Sequence, residues 1–179
     1  MMHFYNLKFY CFIDKYDKSL INHLKSNVSV IYRNYSTKSH LETIKKIKQI
    51  CKKRRLKFYL SNNVRLAINL NLDGAYIPSF NKDFIFNSFN VKKNFKLLGS
   101  AHTLNEIRIK EKQNIECIFL SPLFKNNKNK RGLGIYRFKN LRNLTKKNVV
   151  ALGGIKSTNF NIIKTMNVSN IASISLFQK

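Results

Sequence analysis

Strand-like and helix-like hydrophobic periods alternate along this chain, and the alternation restricts its folds more than any other feature. Short apolar runs at 7–13, 28–32, 56–60, 75–77, 95–99, 115–120, 149–152 and 171–175 read as strands. Between them, 18–25, 41–54, 64–70, 103–112, 138–144 and 157–166 read as helices, and 84–89 as a helix or a turn. In 41–54 the residues Leu41, Ile44, Ile47 and Ile50 form one apolar stripe. Thr103, with Glu106 three residues on, has the spacing of a capping box. Strands separated by helical crossovers run parallel, because a tight hairpin cannot join them. Eight such units without a second block of composition predict an α/β chain folded as one closed (β/α)8 TIM barrel over 1–179. The chain is shorter than the ~250 residues typical of that fold. It also stops right after the eighth strand, so the closing C-terminal helix is expected to be missing.

A hydrophobic share of 44% with only 2 prolines suits a buried core and argues against disorder. The formal net charge of +26, from 34 Lys and Arg against 8 Asp and Glu, attracts polyanions and phosphorylated metabolites. The richness in Asn and Ile fits an AT-biased genome, so most of the lysines read as solvated helix faces. A basic nucleic-acid-binding barrel is the most distant reading, because no Gly-rich or zinc signature occurs and aromatics do not interleave with the lysine runs. Cys11, Cys51 and Cys117 are odd in number, far apart and free of any C-x-x-C pair. They read as reduced core thiols of a cytosolic protein. The apolar start is interrupted by His3, Asn6 and Lys8, too short and polar for a signal or a membrane span. A cytoplasmic protein without membrane attachment is expected.

In a barrel of this kind the carboxyl ends of the strands carry function. Those ends offer Arg33, Tyr35, Ser61, Asn62, Asn63, the stretch 78–81 with Asn81, Ser100, His102, the stretch 121–130, Gly153, Gly154 and Ser175, many anion-binding groups and few carboxylates. The run Val149-Val150-Ala151-Leu152-Gly153-Gly154-Ile155 breaks a buried strand on a glycine pair. Such a turn bares backbone N–H groups and, with the next helix start, seats a phosphate; the plainer reading is a glycine turn that packs tightly. Ser175 adds a hydroxyl on the same side. Arg33 is a fork suited to phosphate oxygens or a plain surface arginine. Lys125, Lys128, Lys130 and Arg131 form either a cationic loop over a diphosphate or a solvated charge run. His102 reads as a proton-transfer group or substrate hydrogen-bond partner, against a purely structural histidine.

In this order the residues resemble the thiamine-phosphate synthase and TenI-like family over 28–177. Arg33 stands where the family's second strand carries Gln-x-Arg-x-Lys. Leu60-Ser61-Asn62-Asn63 looks like Ile-Asn-Asp-Arg, and Asp73-Gly74-Ala75-Tyr76-Ile77 like Asp-Gly-Val-His-Leu. Ser100-Ala101-His102-Thr103 with Glu106 matches the fifth-strand motif. Ser121-Pro122-Leu123-Phe124 resembles Gly-Pro-Ile-Tyr, and Ala151-Leu152-Gly153-Gly154-Ile155 resembles Ala-Ile-Gly-Gly-Ile. The last strand resembles Val-Ala-Val-Val-Ser, with Ser175 on the phosphate-binding serine.

The resemblance implies joining a hydroxymethylpyrimidine diphosphate to a thiazole phosphate, with release of pyrophosphate, or alternatively thiazole-phosphate binding or tautomerisation of the TenI kind. Gly153, Gly154, Ile174 and Ser175 would hold the thiazole phosphate. Arg33, Asn62, Asn63, Lys128 and Lys130 would face the diphosphate, and Arg33, Ser100, His102 and Lys130 would be the catalytic set. The family's Mg²⁺-binding aspartates fall on Asn62 and Asn81, so no metal ligand is assigned and Mg²⁺ is doubtful as a cofactor. Asp83, two residues further, could substitute in a shifted loop. The Gln and Lys flanking the arginine are replaced by Ile31 and Tyr35. By analogy with other barrels a homo-oligomer is expected.

Overall fold

The computed structural model describes residues 7–35, 41–125, 132–166, 168, 170–173 and 176–177. All strand pairs are parallel, and they close in sequence order into a ring. The elements are β1 (Lys8–Ile13), α1 (Lys18–His23), β2 (Val28–Tyr32), α2 (Leu41–Lys53), β3 (Phe58–Ser61), α3 (Val64–Asn69), β4 (Gly74–Ile77), β5 (Lys96–Ala101), α4 (Leu104–Lys112), β6 (Cys117–Leu120), α5 (Gly134–Asn143), β7 (Asn148–Leu152), α6 (Phe160–Thr165) and β8 (Asn170–Ser173). Cys11 of β1 pairs with Val30 on one side and Ser173 on the other, which closes the barrel.

Period-2 alternation sends successive residues to opposite faces of each strand, so two cores form. Cys11, Ile13, Val30, Phe58, Ile77, Ile118 and Val149 face the helices, where α2 brings Ile44, Ile47, Ile50 and Cys51. Tyr10, Phe12, Ile31, Tyr59, Tyr76, Leu98, Phe119 and Val150 fill the barrel interior. That interior is aromatic. Phe119 lies 4.9 Å from Tyr10 and 5.3 Å from Tyr76, and Phe12 lies 5.2 Å from Tyr76, all edge to face. Each ring withdrawn from water in this way contributes about 2 kcal/mol. The plug blocks the axis, so a ligand must sit above it. The three cysteines are buried and free, and burial pushes the thiols of Cys11 and Cys51 up to about 12.

Several boundaries move for identifiable reasons. Leu41, expected on the buried stripe of α2, is the first residue of that helix and is 40% exposed. The sixth strand starts at Cys117 rather than Ile115, because Ile115 closes α4 by donating its N–H to the Lys110 carbonyl, after Asn114 at φ 57°. The helix expected at 138–144 starts earlier, at Gly134. The β4–β5 crossover contains a single 3-10 turn, Ile85–Ser88. Asp73 and Gly74 belong to the amino end of the barrel. The Asp73 carboxylate accepts from the Phe58 N–H and from Lys57 Nζ, both at 2.9 Å. At Gly74 a Cβ would stand 2.0 Å from the Lys96 carbonyl oxygen. No described helix is long and apolar enough to cross a membrane.

Candidate functional site

The carboxyl rim of the barrel begins where the aromatic plug ends. Arg33 follows β2, donates its backbone N–H to Ile13, and carries its guanidinium 5.0 Å above the Phe12 ring. That contact holds a half-buried cation over the plug rather than out in solvent. Beside it, a shallow cavity of about 380 Å³ is lined by Asp14, Lys15, Arg33, Asn34 and Tyr35. The Tyr35 hydroxyl lies 2.9 Å from Ser61 Oγ, and its ring meets Phe80 edge to face at 5.6 Å. Ser100 is buried and hydrogen-bonded to the Tyr76 hydroxyl at the top of the plug. Burial raises the Tyr76 phenol, and this hydrogen bond and the nearby Arg33 charge pull it partly back.

His102, just beyond β5, is held at its backbone N–H and at both ring nitrogens. Its backbone N–H donates to Glu106 Oε2 at 2.6 Å. Nδ1 lies 2.5 Å from the Ser121 carbonyl oxygen and Nε2 lies 3.0 Å from Ser79 Oγ. A carbonyl only accepts, so Nδ1 carries the proton and, in the neutral ring, Nε2 accepts from the Ser79 hydroxyl. The ring therefore ties the ends of β5 and β6 to the turn after β4. The sequence spacing was informative here too: Thr103 caps α4 by accepting from the Glu106 N–H, and Glu106 reaches back to His102.

Two turns face one another across the mouths of β3 and β4. Asn62, at φ 59°, accepts on Oδ1 from Asn81 Nδ2 at 2.8 Å. Asn81 Oδ1 in turn accepts from the Asp83 N–H at 2.9 Å, and Asn63 caps α3 by accepting from Leu66 N–H. Beneath the second turn lies Lys110, fully buried. Its ammonium donates to Asn81 O at 2.7 Å, Gln113 Oε1 at 2.8 Å and Pro78 O at 2.9 Å. Buried Gln113 completes the brace by donating to the carbonyls of Asn81 and Asp83. Burial lowers the Lys110 ammonium to about 8, against a smaller opposing pull from Glu106. Among the described residues no group of three His, Cys, Asp or Glu side chains is placed to hold a metal ion.

On the far side of the rim, Gly153 and Gly154 turn at φ 97° and 67°. A Cβ on Gly153 would lie 2.7 Å from Pro122 Cα, and one on Gly154 would lie 2.6 Å from the carbonyl oxygens of Phe124 and Lys125. Both positions thus need glycine, for conformation and for space. Leu123 and Phe124 donate their N–H groups to Leu152 and Gly153 carbonyls, so the β6 and β7 turns are welded together. The end of β8 adjoins them, with Ser173 Oγ donating to the Ile155 carbonyl at 3.2 Å. A second cavity of about 330 Å³, lined by Lys48, Lys52, Arg55, Lys57 and Asp73 among others, lies at the amino end of β3, away from these groups.

Of the residues singled out in the sequence, Arg33, Asn62, Asn63, Asn81, Ser100, His102, Gly153 and Gly154 all stand at this rim. Lys128, Lys130, Ile174 and Ser175 lie outside the described residues. Sequence reasoning placed Ser79 and Phe80 at the rim without giving them a role, and it passed over Lys110 and Gln113. A signal for Lys110 was present: it follows Ile107 at i+3 and precedes Gln113 at i+3, on the face of α4 that is buried.

A family model described as thiamine monophosphate synthase matches residues 15–177. A thiamine-phosphate synthase of Clostridium tetani is 28% identical over 147 residues, covering 80% of this chain and 69% of the relative. A thiamine-phosphate synthase of Prochlorococcus marinus is 28% identical over 165 residues, covering 88% of this chain. The chain spans only 47% of that relative's length. Among solved structures, the thiamine phosphate pyrophosphorylase of Pyrococcus furiosus superposes with a TM-score of 0.75 at 20% identity, over 96% of this chain and 87% of that one.

Proposed function

The chain belongs to the thiamine monophosphate synthase family, and from that premise we propose that it condenses hydroxymethylpyrimidine diphosphate with thiazole phosphate to give thiamine phosphate and pyrophosphate. The bond from the pyrimidine methylene carbon to the diphosphate oxygen breaks, and its electron pair leaves with pyrophosphate. The thiazole nitrogen then gives its lone pair to that carbon, forming the new C–N bond. The observation that carries this reading is the glycine turn after β7. Its two positive-φ residues leave no room for a Cβ and stand at the carboxyl rim, the place where main-chain amides would seat a small phosphate ester.

Arg33 faces the diphosphate in this reading. Its fork, fixed over Phe12, offers parallel donors to the leaving group as negative charge builds there. Ser100 and Tyr76 supply hydroxyls at the top of the plug. His102 orients the β4 and β6 turns through its bonds to Ser79 Oγ and the Ser121 carbonyl. The resident Mg²⁺ of the family does not fit the residues present. Asn62 and Asn81 are neutral amides bonded to each other, so no step is routed through a metal. The same pairing favours one second reading, a TenI-like protein that binds or tautomerises thiazole phosphate without condensing it. We also propose that the chain is a cytoplasmic protein working as a homo-oligomer, a state that light scattering measures directly.

Incubating the protein with both phosphorylated substrates and following thiamine phosphate by chromatography tests the proposal. Formation of product is expected. Thiazole-phosphate binding with no product would leave the second reading in its place.

A further inference from the structure

We infer that this chain has replaced the divalent cation of its family's diphosphate site with direct bonds between the two rim turns, and that it handles a diphosphate without one. The inference rests on the family reading only for where a metal would stand. Magnesium is held by one or two carboxylates together with phosphate oxygens. Here both expected ligands are amides, and each amide oxygen already has a donor: Asn81 Nδ2 on Asn62 Oδ1, and the Asp83 N–H on Asn81 Oδ1. Asn62 is solvent-exposed, so its hydrogen bond alone would yield to an ion; the absent negative charges decide the matter.

Two further observations point the same way. A shared ion would join the β3 and β4 turns, and in this chain the Asn62–Asn81 bond joins them instead. Beneath the same turn, the Lys110 ammonium donates to the carbonyls of Pro78 and Asn81, placing a positive charge at neutral pH where approach of a second cation is opposed. Phe80, between Ser79 and Asn81, turns its ring edge to face toward Tyr35 and offers no ligand to an ion. Asp83 is the one carboxylate on the turn 78–83, and a single carboxylate does not rebuild the pair.

Equilibrium dialysis against Mn²⁺, followed by metal analysis, tests this on the full chain without any organic substrate. The wild type is expected to retain no stoichiometric metal, and the Asn62→Asp/Asn81→Asp variant to retain about one ion per chain. Should the double variant fail to fold, Asn81→Asp alone is expected to retain more Mn²⁺ than the wild type. In calorimetry with inorganic pyrophosphate, the affinity in EDTA is expected within about threefold of that in Mg²⁺. Stoichiometric Mn²⁺ on the wild type, no gain in the variants, or tightening of pyrophosphate by about tenfold or more with Mg²⁺ would each overturn the inference. Pyrophosphate that binds under neither condition would overturn the claim that a diphosphate is handled without a cation; absence of thiamine phosphate in the separate product assay counts against the synthase reading alone, and the dialysis still decides the metal.

Discussion

Lys110 fits inside this fold because Gly99 has no side chain. A Cβ on Gly99 would stand 3.1 Å from Lys110 Cδ and 3.1 Å from the Ile77 carbonyl oxygen, so the outer face of β5 opens a channel for the lysine stem. The stem buries against the strand while its head reaches the carbonyls of the β4 turn. One helix, α4, therefore sets both sides of the mouth: Glu106 fixes His102, and Lys110 with Gln113 fixes Asn81.

This brace gives stability a pH dependence of definite sign. The folded chain releases the Lys110 proton near pH 8, whereas an unfolded lysine keeps it to 10.5. Between those values the unfolded state binds more protons, so stability from this site rises with pH and is lowest below 8. Lys110→Met has no such titration. In urea unfolding, the wild type should gain about 1 kcal/mol relative to that variant from pH 7 to pH 9. A constant difference would mean that the ammonium is not held down by burial.

Gly154→Ala should cost about 2–3 kcal/mol, since it adds a clash at 2.6 Å to a φ of +67°. Thiazole-phosphate binding should fall with it. Gly134 supplies the control, with φ +72° and nothing within 4 Å of a built Cβ. Gly134→Ala should cost only about 1 kcal/mol and leave that binding unchanged. Equal losses of binding in the two variants would detach the β7 turn from phosphate recognition.

Arg33→Met should weaken inorganic pyrophosphate by about tenfold or more in calorimetry, with no comparable loss for thiazole phosphate. Arg33→Lys should recover little of it, because a point charge lacks the fork and the flat face that rests on Phe12. Full rescue by lysine would reduce the role of Arg33 to bulk charge.

Asp73→Asn separates architecture from chemistry. Its carboxylate ties Phe58 N–H and Lys57 Nζ at the amino end of the barrel, so the variant should lose about 1–2 kcal/mol of stability. Both phosphate affinities should stay as they are, by calorimetry at a temperature where the variant is folded.

The barrel was legible because its signal is periodic: the runs around Val28–Tyr32 and Asn148–Leu152 are β-branched and buried on both faces, and Ile44, Ile47 and Ile50 repeat at helical spacing. Boundaries were less so, since Ile115 is as buried as any strand residue yet belongs to a turn whose course Asn114 decides. At the rim, Arg33, His102 and the glycine pair were visible because their chemistry is unusual for a loop. What Ser79, Phe80 and Lys110 contact was not, because each acts on a residue 23 to 45 positions away, or on a backbone carbonyl. Local pattern carries no record of such distant pairs. Asn62 and Asn81 read only as missing charges; that they bond to each other is a fact of three dimensions.

The aromatic plug has one practical consequence. The chain has 8 tyrosines and no tryptophan, and Tyr10, Tyr59 and Tyr76 lie inside the ring of strands. Its ultraviolet emission is thus unmasked phenol fluorescence, drawn in good part from the interior. Assembly and rupture of the ring can be watched optically, with no dye and no engineered reporter.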